Sequence, residues 1–121
     1  MSRLLVVIGM LVLLSCEEVV NVENISDDTI VLVAPSDAAT LARNESIRFD
    51  WERLNAAEEY RLQIASPDFE APLQIALDTL ITGVSFRIDS LKENNYQWRV
   101  QGLNSAYQTS YSVNDLVVGN P

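Results

Sequence analysis

Residues 59–64 read EYRLQI, a stretch in which large apolar side chains alternate with polar ones. Because successive side chains of a β-strand point to opposite faces, Tyr60 and its two apolar partners fall on one side of an extended chain. The same alternation recurs as IRFDW at residues 47–51, VSFRI at 84–88 and YQWRV at 96–100. Each segment therefore predicts a strand with one buried side and one solvent-facing side.

Three less regular segments complete the pattern. Residues 30–33 predict a first strand that ends at the turn-forming sequence APSD, residues 34–37, because proline removes a hydrogen-bond donor and polar residues favour turns. Residues 73–80 predict a middle strand, and residues 107–118 predict a final strand or pair of strands. With no long run of helical periodicity after Asp28, the seven candidates predict an all-β sandwich of two sheets that cover each other's apolar faces.

The strongest motifs resemble a known family. FDW at residues 49–51, EYRLQI at 59–64, and Leu91 followed by YQWRV at 96–100 resemble the fibronectin type III pattern of bacterial envelope proteins. The resemblance implies a single immunoglobulin-like, seven-stranded antiparallel sandwich over residues 29–118.

The resemblance also implies roles for individual residues. Trp51 matches a core tryptophan of the family, and the parity of its strand places Trp98 on the buried side as well. Leu91 and Tyr96 match a corner in which the tyrosine hydroxyl hydrogen-bonds nearby backbone. The family's usual Pro-Gly at this corner is replaced by KENN, residues 92–95, so a different immunoglobulin-like subtype stays open.

The first residues predict an export signal. Arg3 precedes eleven uncharged, mostly apolar residues, 4–14. As a helix, at about 1.5 Å per residue, they would reach only about half of a hydrocarbon core roughly 30 Å thick. LLSC at residues 13–16 resembles the lipobox of bacterial lipoproteins, in which the cysteine thiol receives a diacylglyceryl group before a peptidase cuts in front of it. The resemblance implies a signal peptide over residues 1–15 and lipidation at Cys16.

Residues 16–28 then predict a tether, because the segment after Cys16 carries five acidic residues and no basic one. Two or three acyl chains on one cysteine would hold the protein firmly on a membrane. We therefore expect a lipid-anchored protein of the bacterial cell envelope, with the outer membrane favoured over the inner one and the periplasmic and surface sides both open. A buried thiol or an intermolecular disulfide is the alternative for Cys16, the chain's only cysteine. Residues 119–121 are expected to form a short C-terminal tail.

Composition argues against several functions. The net charge is −9, whereas nucleic acid binding needs clustered Lys and Arg, so no nucleic acid partner is expected. The chain has no histidine, no Gly-x-Ser-x-Gly elbow and no glycine-rich phosphate loop. Oxygen-rich loops at residues 27–28 and 66–70 could attract calcium, yet they lack EF-hand spacing. We expect no enzyme activity, no cofactor and no metal site.

The remaining candidate for catalysis is a pair of carboxylates. Asp50 and Glu52 would share a strand face at roughly 7 Å, a spacing compatible with an inverting glycosidase. Arg48 lies on the same face, and Arg87 is expected to face it from a neighbouring strand. A solvated cross-strand charge ladder is therefore the preferred interpretation.

A weak candidate ligand face remains. If the strands at 59–64 and 96–100 are neighbours, their outward side chains form a polar stripe that could bind a sugar or a partner strand, or could be ordinary solvated surface. The stripe consists of Arg61, Gln63, Gln97, Arg99 and Gln101. Three aromatic residues without a clear core position could stack on sugar rings: Phe69, Tyr107 and Tyr111.

These features favour a membrane-anchored, noncatalytic binding module with a protein or polysaccharide partner in the envelope. The alternative is a structural accessory subunit of an outer-membrane complex. An exposed apolar patch between Val113 and Val118 would favour docking against a protein over glycan binding.

Overall fold

The computed structural model describes residues 21–119. The predicted signal peptide and the predicted lipidation of Cys16 lie outside the described residues. Within the described range, no helix has the length and apolar character that crossing a bilayer requires. The described strands are β1 (Leu32–Ala34), β2 (Ala39–Ala42), β3 (Ile47–Trp51), β4 (Glu59–Ser66), β5 (Gln74–Ile81), β6 (Ser85–Ile88), β7 (Asn94–Leu103) and β8 (Ser112–Gly119).

The strands form a sandwich of two sheets. One sheet has the order β1-β3-β6, and the other has the order β2-β8-β7-β4-β5. The predicted alternation is present: Tyr60, Leu62 and Ile64 of β4 are completely buried between the sheets. The all-β sandwich predicted from the sequence is confirmed.

Strand β2 is a correction to the sequence prediction. It pairs in parallel with β8, from Ala39 opposite Leu116 to Ala42 opposite Gly119. The described chain therefore has eight strands rather than seven, and the five-stranded sheet is not antiparallel throughout. The sequence ATLA of β2 gave no signal because small residues show little contrast between a buried and an exposed side.

Aromatic rings fill the centre of the sandwich. The rings of Phe49 and Trp98 meet edge to face, with centroids 5.0 Å apart and planes inclined by 65°. Trp51 packs against Tyr60 with ring centroids 5.8 Å apart. Both tryptophans are almost fully buried, so their predicted core positions are confirmed. The Tyr60 hydroxyl accepts a hydrogen bond from the Leu54 backbone N–H at 2.9 Å.

The predicted corner before β7 is also present. The Tyr96 hydroxyl donates a hydrogen bond to the Lys92 carbonyl oxygen at 2.7 Å. Leu91 is partly buried and packs against the core. The corner therefore forms with KENN in place of Pro-Gly.

Packing against the sandwich begins before β1. Ile25, which lies in the predicted tether, is completely buried. The Asn104 side-chain amide donates hydrogen bonds to the carbonyl oxygens of Glu23, at 2.9 Å, and Ala56, at 3.1 Å. The buried Ile25 side chain and the hydrogen bond to the Glu23 carbonyl oxygen thus hold part of residues 21–28 against the domain.

Candidate binding face of the five-stranded sheet

The five residues of the predicted polar stripe come together on one face. Strands β4 and β7 are antiparallel neighbours, and residues directly opposite each other share a face of the sheet. The condition for a continuous stripe is therefore met, while its binding of any ligand stays a prediction. The facing pairs are Arg61 with Gln101, Gln63 with Arg99, and Ala65 with Gln97.

The glutamine side chains of the stripe are held by the protein itself. Gln101 is buried and donates a hydrogen bond from Nε2 to the Thr109 carbonyl oxygen at 3.0 Å. Gln97 donates from Nε2 to Asp115 at 2.8 Å, and its Oε1 accepts the Phe69 N–H at 3.0 Å. These amides are therefore already engaged.

Arg61 at one end of the stripe is paired. Its guanidinium donates two hydrogen bonds of 2.8 Å to the Asp78 carboxylate on β5. The hydrogen bond from Arg61 lowers the pKa of Asp78, and Asp78 in turn raises the pKa of Arg61. Because both side chains are well exposed, solvent screens the pair and its contribution to stability is small.

Arg99, at the centre of the face, has different neighbours. Its guanidinium carbon lies 3.9 Å from the centroid of the Phe69 ring and 4.0 Å from that of Tyr111. Its Nε–H donates a hydrogen bond to Gln63 Oε1 at 2.8 Å. We call Arg99, Phe69 and Tyr111 the Arg99 stack.

The Arg99 stack was not predicted from the sequence. Strand parity places Arg99 outward, but Phe69 lies in the loop before β5 and Tyr111 directly precedes β8. Thirty residues separate Phe69 from Arg99, so no local pattern signals their contact. One face of each ring contacts the guanidinium, so that face is closed to the sugar stacking considered for Phe69 and Tyr111.

Exposed aliphatic side chains flank the stack. On β8, Val113 is 44% exposed and Val117 is 38% exposed, and the exposed Asp115 lies between them on the same side of the strand. The exposed apolar surface that would favour protein docking is therefore present as two separate valines. On β5, Ile75 and Leu80 are about half exposed. Val113 lies directly opposite Arg99, and Leu80 lies opposite Arg61. The face therefore combines a polar centre with flanks in which exposed aliphatic side chains alternate with the carboxylates of Asp78 and Asp115.

Comparison with known proteins shows a likeness of fold. No protein-family model and no curated protein matches the chain. The crystal structure of FN3tt is similar with a TM-score of 0.54 and 8% identity, covering 76% of this chain and 97% of that one. The solution structure of the fn3 domain of the human collagen alpha-1(XX) chain has a TM-score of 0.56 and 15% identity, with 74% and 85% covered.

The fibronectin(III)-like modules of Clostridium thermocellum CbhA give a TM-score of 0.53 and 7% identity, with 75% of this chain and 96% of that one covered. The domain has a fibronectin type III-like fold. The resemblance noted in the motifs is thus confirmed as a resemblance of architecture.

Two of the other acidic candidates in the fibronectin type III-like domain, Asp50 and Asp68, have local partners. Arg48 donates a hydrogen bond to Asp50 on its own strand at 2.9 Å. Arg87 lies directly opposite Arg48 and donates a hydrogen bond to Ser46 Oγ at 3.1 Å, so the cross-strand charge ladder predicted from the sequence does not form between these residues. In the loop at 66–70, one Asp68 oxygen accepts the backbone N–H groups of Glu70 and Ala71, which stabilises the turn. Across residues 21–119 no group of three potential metal-binding side chains converges.

Proposed function

We propose that the protein is a lipid-anchored, noncatalytic docking module of the bacterial cell envelope. It holds a protein partner against the outer face of the five-stranded sheet. One observation carries the proposal: Val113 is exposed on β8 directly opposite Arg99, and Val117 is exposed four residues further along the same side of β8. Aromatic residues and arginine with apolar surroundings are the side chains in which protein interfaces are enriched.

The state of the polar stripe supports a protein partner over a polysaccharide. Sugar hydroxyls are recognised by polar groups with spare hydrogen-bonding capacity. On this face Gln63, Gln97 and Gln101 are each hydrogen-bonded to other parts of the domain. We therefore favour the role of accessory subunit in an outer-membrane complex over that of a glycan-binding module.

Two observations support a noncatalytic role. The space between the sheets is filled by buried apolar side chains, among them Phe49, Leu62 and Trp98. The chain also lacks histidine, the commonest general base at neutral pH. The fold thus offers a surface to a partner.

The anchor rests on LLSC at residues 13–16 and the apolar segment before it. Mass spectrometry of the membrane fraction of the native host tests it directly. We expect a tryptic peptide that begins at Cys16 and carries added acyl mass. An uncleaved leader or a free thiol at Cys16 would rule out the lipoprotein assignment.

Site-specific photocrosslinking tests the docking face. A benzophenone amino acid replaces Val117 on β8 in one variant and Val33 on β1 in a matched control, and both are irradiated in the native host. Val33 is a suitable control because it is 53% exposed and belongs to the three-stranded sheet. We expect one discrete adduct from position 117 and none from position 33. Equal adducts from both positions, or none from position 117, would contradict the proposal.

A further inference from the structure

Arg99 is held in place before any partner arrives. Contact with the Phe69 and Tyr111 rings and the hydrogen bond to Gln63 fix the guanidinium at the centre of the face. A long side chain normally loses conformational entropy when it binds, and that cost falls when the protein has already ordered it. The Arg99 stack is therefore preorganised for recognition.

Arg99 makes no salt bridge within residues 21–119, although its charge contributes to the lowered pKa of Asp78 on β5. The three salt bridges in that range involve Arg43, Arg48 and Arg61. This is notable in a chain with 17 acidic and 8 basic residues, where carboxylates are abundant. The only side-chain hydrogen bond that Arg99 makes in the described range comes from Nε, so its two terminal nitrogens keep their N–H donors for another acceptor.

The surroundings of Arg99 make binding of an anion more favourable. The rings and the sheet remove part of its water, and a partly desolvated cation gains more from a charged acceptor than a fully hydrated one does. Two parallel N–H groups of a guanidinium match the two oxygens of a carboxylate. Val113, directly opposite on β8, supplies an apolar neighbour.

We propose that the Arg99 stack is the binding site for a carboxylate of the partner protein, an Asp or Glu side chain set among apolar residues. This proposal rests on the docking function proposed above. A second copy of the chain is a poor occupant, because two molecules of net charge −9 repel each other. A partner with a local acidic side chain in an apolar surface fits both the unpaired guanidinium and the exposed valines.

The probe is a pair of capped tripeptides, Ac-Leu-Glu-Leu-NH2 and Ac-Leu-Gln-Leu-NH2, added to the isotope-labelled full chain in mild detergent. NMR follows the Arg99 Nε–H signal and the ring signals of Phe69 and Tyr111. We expect saturable shifts with the Glu peptide and binding about tenfold weaker with the Gln peptide, since the charge-assisted pair is lost. Equal binding of the two peptides, or no shift at Arg99, would overturn the proposal.

Variants separate recognition from simple charge attraction. R99K keeps the charge but loses the planar pair of donors, so we expect about tenfold weaker binding of the Glu peptide. R87K, on the other sheet, is the matched control and should bind as the wild type does. Wild-type affinity in R99K would overturn the proposal.

A second pair of variants leaves Arg99 in place. Val113→Glu introduces a carboxylate directly opposite Arg99, where side chains of facing residues meet. It should compete with the Glu peptide and weaken its binding about tenfold, whereas Val113→Gln should weaken it far less. Equal effects of the two substitutions would contradict a carboxylate site.

The peptide titration and the crosslinking test different parts of the proposal, so either can fail without the other. A crosslink from position 117 together with a failed titration would keep the docking function and remove the carboxylate site. A successful titration without a crosslink would keep the carboxylate site and remove the protein partner. Sedimentation of the full chain adds one further outcome, because a dimer lost in R99K would make a second copy the occupant and overturn the assignment to a different protein.

Discussion

The Tyr96 hydroxyl donates a hydrogen bond to the carbonyl oxygen of Lys92, four residues earlier, at 2.7 Å. Because the ring is buried, replacing Tyr96 by Phe leaves the carbonyl without this partner. We expect Y96F to lower the free energy of unfolding by about 1 kcal/mol, measured by urea denaturation. Y107F is the control, since Tyr107 is exposed and its hydroxyl makes no hydrogen bond within residues 21–119. Equal losses in the two variants would show that the corner contributes nothing.

The same tyrosine predicts a loss of stability in alkali. Burial raises the pKa of Tyr96 above its usual value of about 10. The stability that the buried, protonated Tyr96 hydroxyl contributes is therefore fully present below pH 10. It is lost as the pH rises through the higher pKa of the folded state. Between about pH 9 and pH 12 the wild type should lose more unfolding free energy than Y96F does. Parallel pH profiles of the two proteins would refute this.

The Arg61–Asp78 pair predicts the opposite behaviour in acid. Arg61 lowers the pKa of Asp78 in the folded state, so the pair stabilises the protein above the ordinary aspartate pKa and is lost as the pH falls through the lowered one. D78N should therefore be less stable than the wild type near neutral pH, and the difference should be smaller at about pH 3, below the ordinary aspartate pKa of 3.8. Urea denaturation at both pH values measures the difference, which will be small for an exposed pair. A pH-independent difference would contradict the assignment.

Two glycines give a matched test of packing. A Cβ atom at Gly102 would lie 3.0 Å from Ile30 Cδ1 and 3.4 Å from Ala57 Cβ, whereas one at Gly83 would meet nothing within 4 Å. We expect G102A to lower the unfolding free energy by about 1–3 kcal/mol, because the core must shift to admit the methyl group. G83A should change it by less than about 0.5 kcal/mol. Thermal or urea denaturation of both variants measures these changes. Similar unfolding free energies for the two variants would show that the Ile30 side chain moves aside freely.

The parts of the fold that sequence could predict are those governed by local alternation. IRFDW, EYRLQI and YQWRV carry large apolar residues at every second position, so their strands and their core side chains follow directly. Strand β2 was missed because its four residues, ATLA, have no such contrast and depend on pairing with β8 far along the chain. Ile25 was assigned to the tether because it is a single apolar residue in a polar segment, which local composition cannot distinguish from a linker.

For the candidate site, the sequence predicted which side chains face outward but not which of them contact one another. Alternation placed Arg61 and Arg99 outward, and the pairing of β4 with β7 brought them to one face. What alternation could not show is which outward side chains are already engaged. The bond between Gln97 and Asp115 and the contact between Arg99 and Phe69 join residues distant in sequence, so only the folded chain reveals them.

The parallel pairing of β2 with β8 has a mechanical consequence. Antiparallel neighbours joined by a hairpin open one hydrogen bond at a time when their free ends are pulled. In a parallel pair, a pull on the amino end of β2 and the carboxyl end of β8 drives the strands past each other, so the bonds from Ala39–Leu116 to Ala42–Gly119 bear the tension together. In a domain stretched from its two ends, this ladder would therefore be the element that resists once β1, which precedes β2 in the chain, has been pulled away.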